Sequence, residues 1–269
     1  MNKRVQSDGS LSPADLTVQV QSDRAGIRVP FAQDLLPVTQ PFQYGPLPKK
    51  NGARLTGRRD QPLTRDSLFV LRRNAEYHVI AESYFYKTEP YYTILSLEYE
   101  GKKVKPSSSS VLDAYVIPVC LERARAAGLP VCEWGISQAY VPLPALLYGL
   151  NYYATNAEYA IVRDNEAAKD LIRHITNNGK YPFCFQKFPE GADVFGCTAI
   201  FGKTVGAGGA VASFASKIYE LFGLPLIRMV FLEHNGSYAL SSLSPVRYSR
   251  LTEHERSVLS AYISSQEFL

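Results

Sequence analysis

From residue 68 onward, short apolar or β-branched runs alternate with segments of helical period, and Gly or Pro marks most of the changes. A chain written this way must layer helices on sheet. Residues 68–71 and 77–81 read as strands. Glu89-Pro90 opens a helix, with Tyr92, Leu95, Ser96 and Tyr99 on one face and Gly101 past its end. Residues 102–105 read as the next strand and 111–127 as a helix that Pro118 must kink or interrupt, with Gly128 after it. Another strand follows over 131–134. This order predicts a parallel sheet with right-handed crossovers.

The second half is more mixed. Asp164 can cap a helix that runs through Ala168, Leu171, Ile172 and Ile175 and stops at Gly179. Residues 182–188 and 194–201 read as strands, and Gly206, Gly208 and Gly209 lead into a helix over about 211–222 closed by Gly223. Asn235-Gly236 between the apolar runs 224–232 and 237–243 signals a hairpin, because these residues accept the positive φ angles of a primed turn. Thr252-x-x-Glu255 is a capping box for a terminal helix with Val258, Leu259 and Tyr262 on one side. The expected class is α/β, with α+β character in the C-terminal half: a parallel sheet layered with helices, then a hairpin and a helix.

The net charge of +4 is concentrated at one end, since residues 1–67 hold ten Lys/Arg against six Asp while the remainder balances nineteen against nineteen. That stretch has seven of the seventeen prolines, no Glu and only Phe31, Phe42 and Tyr44 as aromatics, too little apolar surface to offset its own ordering entropy. The expected division is a basic, Pro-rich extended arm over 1–67 and an α/β domain over 68–269. The arm serves as a solvated tail or wraps a partner; its scattered basic residues without interleaved aromatics argue against nucleic-acid binding. No apolar stretch follows Lys3-Arg4, so no secretory signal is read. The uncharged run 134–157 includes Gln138, Pro142, Pro144, Asn151 and Asn156, and reads as buried loop and helix rather than a membrane span. Cys120, Cys132, Cys184 and Cys197 form no Cys-x-x-Cys pair and have no neighbouring histidine, so neither zinc nor a disulfide framework is signalled, and a reducing cytoplasmic setting is expected.

Catalytic signatures are mostly discarded. Gly202-Lys203-Thr204 looks like the end of a phosphate-binding loop, but Cys197 stands where its first Gly belongs. Gly206-Ala207-Gly208-Gly209 before a helix suits an anion, though a turn is the commoner reason for such glycines. Glu233-x-Asn235 falls on the hairpin tip, and His78, His174, His234 and His254 are far apart and read as packed or surface side chains. No metal or cofactor is implied.

The run 91–107, YYTILSLEYEGKKVKPS, resembles the signature of the RimK-like ATP-grasp N-terminal domain. In it the paired tyrosines Tyr91 and Tyr92 begin a helix that ends in a Glu-x-x-Gly turn, before a strand closed by Pro106-Ser107. Asp113 falls where that family tends to carry an acid, and Pro90 stands where its pattern has Gly. Phe201-Gly202-Lys203-Thr204 is similar to its Phe-Gly-Arg segment, and Pro225-Leu226-Ile227-Arg228 to its Pro-Leu-Leu-Arg strand ahead of a hairpin. The three pieces are collinear over about residues 68–250.

In that family the domain generally precedes an ATP-grasp ligase module, which joins a carboxylate to an amine through an acyl phosphate. With the chain ending at Leu269, no space is left for that module. The resemblance then implies a non-catalytic substrate-recognition or regulatory partner of a separate amino-acid or peptide ligase, with a structural subunit of a larger assembly, anchored by the arm, as the alternative. No independent enzyme activity is expected. The candidate substrate-binding residues are Tyr91, Tyr92, Ser107, Lys203 and Arg228. Ser107 to Ser110 leave the strand read over 102–105 where ligands of a parallel sheet collect. Lys203 and Arg228 supply charge for a small anionic ligand, unless Arg228 only pairs Glu233 or Glu220.

Overall fold

The computed structural model describes residues 63–64, 67–73, 75–151 and 158–264. The arm expected over 1–67 lies almost entirely outside the described residues. Strands β1 (Phe69–Arg73) and β2 (Glu76–Ile80) form an antiparallel hairpin. Helix α1 (Glu89–Tyr99) carries Pro90 in its first turn, buries Tyr91 and Ile94, and leads to β3 (Lys103–Lys105), which pairs parallel with β2. Among the described strands parallel pairing is confined to this β2–β3 pair. The single helix read over 111–127 is two, α2 (Ser108–Tyr115) and α3 (Ile117–Ala126). Pro118 is the reason: it lies in the first turn of α3, where its missing N–H costs nothing, and extended Val116 separates the two helices.

The stretch read as loop and helix over 134–157 instead contains two strands, β4 (Trp134–Ser137) and β5 (Ala145–Gly149). With β6 (Ala160–Val162), α4 (Asn165–Ile175) and β7 (Phe183–Lys187) they build an antiparallel sheet in the order β4-β7-β5-β6. The strand placed over 131–134 is therefore β4, shifted toward the C-terminus and joined to this second sheet rather than to a parallel one. The misreading has a physical cause. Ala145, Leu147 and Phe183 pack with Ala168 and Ile172 of α4, while Leu146, Tyr148 and Cys184 join the main core. A strand buried on both sides shows no alternation, and periodicity cannot separate it from helix.

The third sheet runs β11-β10-β8-β9 and holds β8 (Asp193–Ile200), β9 (Lys203–Thr204), β10 (Leu226–His234) and β11 (Ser237–Ser244), all antiparallel. Helix α5 (Ala210–Phe222) ends at Gly223, whose φ of 67° is the left-handed cap conformation. Its Phe214, Ile218 and Phe222 share the main core with Ile227, Met229 and Phe231 on one face of this sheet. Leu226 and Ile200 on the other face pack against Leu259 and Tyr262 of α6 (Glu253–Ser264). Each such fully buried aliphatic or aromatic side chain contributes about 1.5–3 kcal/mol of hydrophobic transfer. The mixed α/β class expected from the sequence is the class observed. Among the described residues no helix is long and apolar enough to cross a membrane.

Candidate functional site

Strand alternation and pairing register assemble one polar cluster on the first sheet. Arg73 pairs Glu76 across β1–β2, and His78 pairs Lys105 across β2–β3. Directly paired residues share a face, and so do residues two apart, so all four side chains lie on one side. Tyr219 of α5 closes a depression of about 190 Å³ lined by these five residues. Lys105 Nζ lies 2.9 Å from Glu76 Oε2, and the Tyr219 hydroxyl is 3.2 Å from His78 Nδ1. The Lys105 hydrogen bond holds the Glu76 carboxyl below its ordinary range. Burial, and after it the nearby Lys105 charge, holds the His78 imidazole below its own, while burial pushes the Tyr219 phenol up to about 12. Phe201 backs the cluster, its ring meeting His78, Tyr219 and Tyr262.

A second polar constellation joins the two four-stranded sheets. Gln186 of β7 is fully buried and clamps Ser241 of β11: Nε2 donates to the Ser241 carbonyl at 2.8 Å, and Ser241 Oγ donates to Oε1 at 2.7 Å. The Tyr148 hydroxyl lies 2.7 Å from Ser241 Oγ and donates to Ser242 Oγ at 3.2 Å. Farther along the same sheet Arg228 faces Thr198 and Ser244 across the two ladders. Its guanidinium lies over Gly196, where an added Cβ would meet Nη2 at 2.8 Å. Ser244 is fully buried, and its Oγ has no hydrogen-bond partner among the described residues.

The sequence-predicted residues are dispersed. Tyr91 is a core residue, in ring contact with Tyr86 and with Tyr92, which is itself 55% exposed. Ser107 caps α2, accepting from Ser110 N at 3.1 Å, and bonds Ser110 Oγ and Ser109 Oγ. Lys203 sits at the exposed edge strand with its ammonium 5.9 Å from the Tyr262 ring centroid. Among the described residues no hydrogen bond or ring contact links Ser107, Lys203 and Arg228. Arg228 has no ion pair with Glu233 or Glu220. Asp113 bonds Arg123 at 2.6 Å. Sequence reasoning missed Arg73, Glu76, His78, Lys105 and Tyr219, because only strand pairing and the packing of α5 bring Lys105 and Tyr219 to the three hairpin residues.

Among the described residues no donor set fits a catalytic divalent metal. No group of three or more His, Cys, Asp or Glu side chains able to hold an ion occurs among the described residues, and the one carboxylate of the polar depression is already engaged by Lys105. The cysteines offer no thiolate either: burial pushes Cys132 and Cys184 up to about 12 and Cys197 to about 11, and raises Cys120 as well.

Residues 164–262 match the family model of the RimK-like ATP-grasp N-terminal domain. Phe201–Thr204 and the Pro225–Arg228 strand fall inside that range and the run 91–107 falls outside it. No curated protein matches the chain. Among solved structures, a RimK-domain ATP-grasp protein from Sphaerobacter thermophilus is similar with a TM-score of 0.50 at 15% identity, covering 66% of this chain and 75% of its own. D-alanine–D-alanine ligase from Helicobacter pylori gives 0.48 at 11% identity, covering 66% and 65%. The ATP-grasp ligase PsnB with a minimal precursor gives 0.45 at 18% identity, covering 64% and 68%.

The first of these corrects the expectation of a non-catalytic partner or assembly subunit. That expectation rested on the ligase architecture being missing, and a fold spanning three quarters of an ATP-grasp protein removes its premise. Residues 164–262 thus match the RimK-like ATP-grasp N-terminal domain model, and the chain shares the fold of the RimK-domain ATP-grasp protein over the covered part.

Proposed function

We propose that this protein is itself an ATP-grasp-like ligase, joining a carboxylate to an amine as ATP is converted to ADP and phosphate. The observation that carries the reading is the shared fold with the RimK-domain ATP-grasp protein, supported by the family match over 164–262. Arg228 is the candidate for meeting nucleotide phosphate charge. It is partly exposed, has no carboxylate at ion-pair distance among the described residues, and is flanked by the hydroxyls of Thr198 and Ser244. A planar, permanently charged guanidinium suits that task better than a lysine. Because the described residues offer no metal-ligand cluster, no step is assigned to magnesium.

The test is calorimetric titration of the full chain with ATP, in magnesium and in EDTA. The reading expects saturable binding that persists in EDTA and weakens about tenfold or more in Arg228→Gln, a loss typical of one charge-assisted contact. No heat of binding at millimolar ATP under either condition would refute it.

A further inference from the structure

The depression on the first sheet has no part in that reading, and its chemistry is specific. Its lining holds the cations of Arg73 and Lys105, the phenol of Tyr219, the imidazole of His78 and one carboxylate, Glu76. His78 is 5% exposed, so the floor of the depression is shielded from water, while Lys105 and Glu76 at its mouth are 43% and 33% exposed. We infer that this depression is a binding site for a small oxyanion, a phosphate or carboxylate group, held by Arg73 and Lys105 with the Tyr219 hydroxyl as a neutral donor.

Three features carry the assignment. The pairing register puts both cationic side chains on one face of the sheet, and both line the same depression. The volume, about 190 Å³, admits one oxyanion with a short substituent and excludes a nucleotide lying flat. Glu76 gives the site an internal competitor: its carboxylate occupies Lys105 at 2.9 Å when no anion is present, and an incoming oxyanion must share or displace it. Lysine suits this exchange, since its ammonium has three donors and a flexible stem. The site lies on a different sheet from Arg228, so it stands or falls independently of ATP turnover.

The competitor makes the test two-sided. The full chain is titrated calorimetrically at low ionic strength with inorganic phosphate and, separately, with acetate, chloride serving as the control anion. Binding of phosphate alone identifies a phosphorylated ligand, and binding of acetate a carboxylate; either supports the site. Arg73→Gln should weaken binding about tenfold, and Tyr219→Phe, which keeps the ring against Phe201, by a smaller factor of about three. Glu76→Gln should act in the opposite direction, tightening binding about tenfold, because it frees Lys105 and removes the one negative charge. Lys180→Gln, at an exposed position outside the depression, should change nothing. Circular dichroism establishes that each variant is folded. If neither anion binds, or if Glu76→Gln fails to tighten binding while Arg73→Gln fails to weaken it, the site is refuted.

Discussion

Replacing Gln186 by Leu probes the seam between the two four-stranded sheets. The amide makes two hydrogen bonds to one residue, Ser241, at 2.7 and 2.8 Å, and both partners are fully buried. Leucine of similar size removes both bonds at once. The Ser241 hydroxyl can turn its proton toward Tyr148, 2.7 Å away, but the Ser241 carbonyl is left without that donor in a dry interior. An orphaned buried acceptor costs about 1–3 kcal/mol, and the second lost bond adds about 1, giving about 2–4 kcal/mol in all. Ser241→Ala removes only the hydroxyl and should cost about 1–2 kcal/mol. Because both substitutions delete the same Oγ–Oε1 bond, the double variant should be more stable than their sum predicts by about 1 kcal/mol. Urea unfolding gives each value at constant m, and in a chain of this size each kcal/mol lowers Tm by about 2–4 °C. Strict additivity, or a Gln186→Leu loss below about 0.5 kcal/mol, would refute direct buried contact across the seam.

Other outcomes follow from single features. Gly202→Ala should cost about 2–4 kcal/mol in urea unfolding, since its φ is +73° and the new Cβ would lie 2.8 Å from Tyr219 Cβ; Gly206→Ala, at φ +81° in open space, should cost only about 1–2. Stability should fall on acidification from just below the unfolded histidine value of 6.5, because His78 is held below it when folded and the unfolded chain then binds more protons; Glu76 adds a loss in the same direction below 4.5. His78→Asn should flatten the first part of that urea-unfolding profile and leave the second. Alkylation at pH 8 should be slow at all four thiols, with Cys197, the least buried, modified first by mass spectrometry and the other three only on unfolding.

Local signals were legible and pairing was not. Asn235-Gly236 closes the β10–β11 hairpin, Asp164 caps α4 through its bond to Ala167 N, and Thr252 and Glu255 exchange the reciprocal bonds of a capping box. Each needs only residues a few positions apart. Pro118 marked a real boundary, though only φ/ψ geometry could say that a new helix starts there. The second sheet was hidden because β5 is apolar on both faces, so nothing in its sequence distinguishes it from a buried helix turn. The five residues of the polar depression were hidden for another reason: Arg73, Glu76 and His78 lie on one hairpin, but β3 and α5, which bring Lys105 and Tyr219 to it, are remote along the chain and are placed by pairing and packing rather than by any motif. Arg228 stands out in the sequence as a charge on an apolar strand, but its surroundings, Gly196, Thr198 and Ser244, come from neighbouring strands.

The central claim, that the chain is an ATP-grasp-like ligase, is tested most directly by mass spectrometry of the full protein incubated with ATP, magnesium chloride and mixed amino acids. The account predicts ADP formation that depends on the amino acids and is accompanied by a product lighter than its two components by one water. Unchanged ATP and unchanged amino acids after prolonged incubation would contradict it.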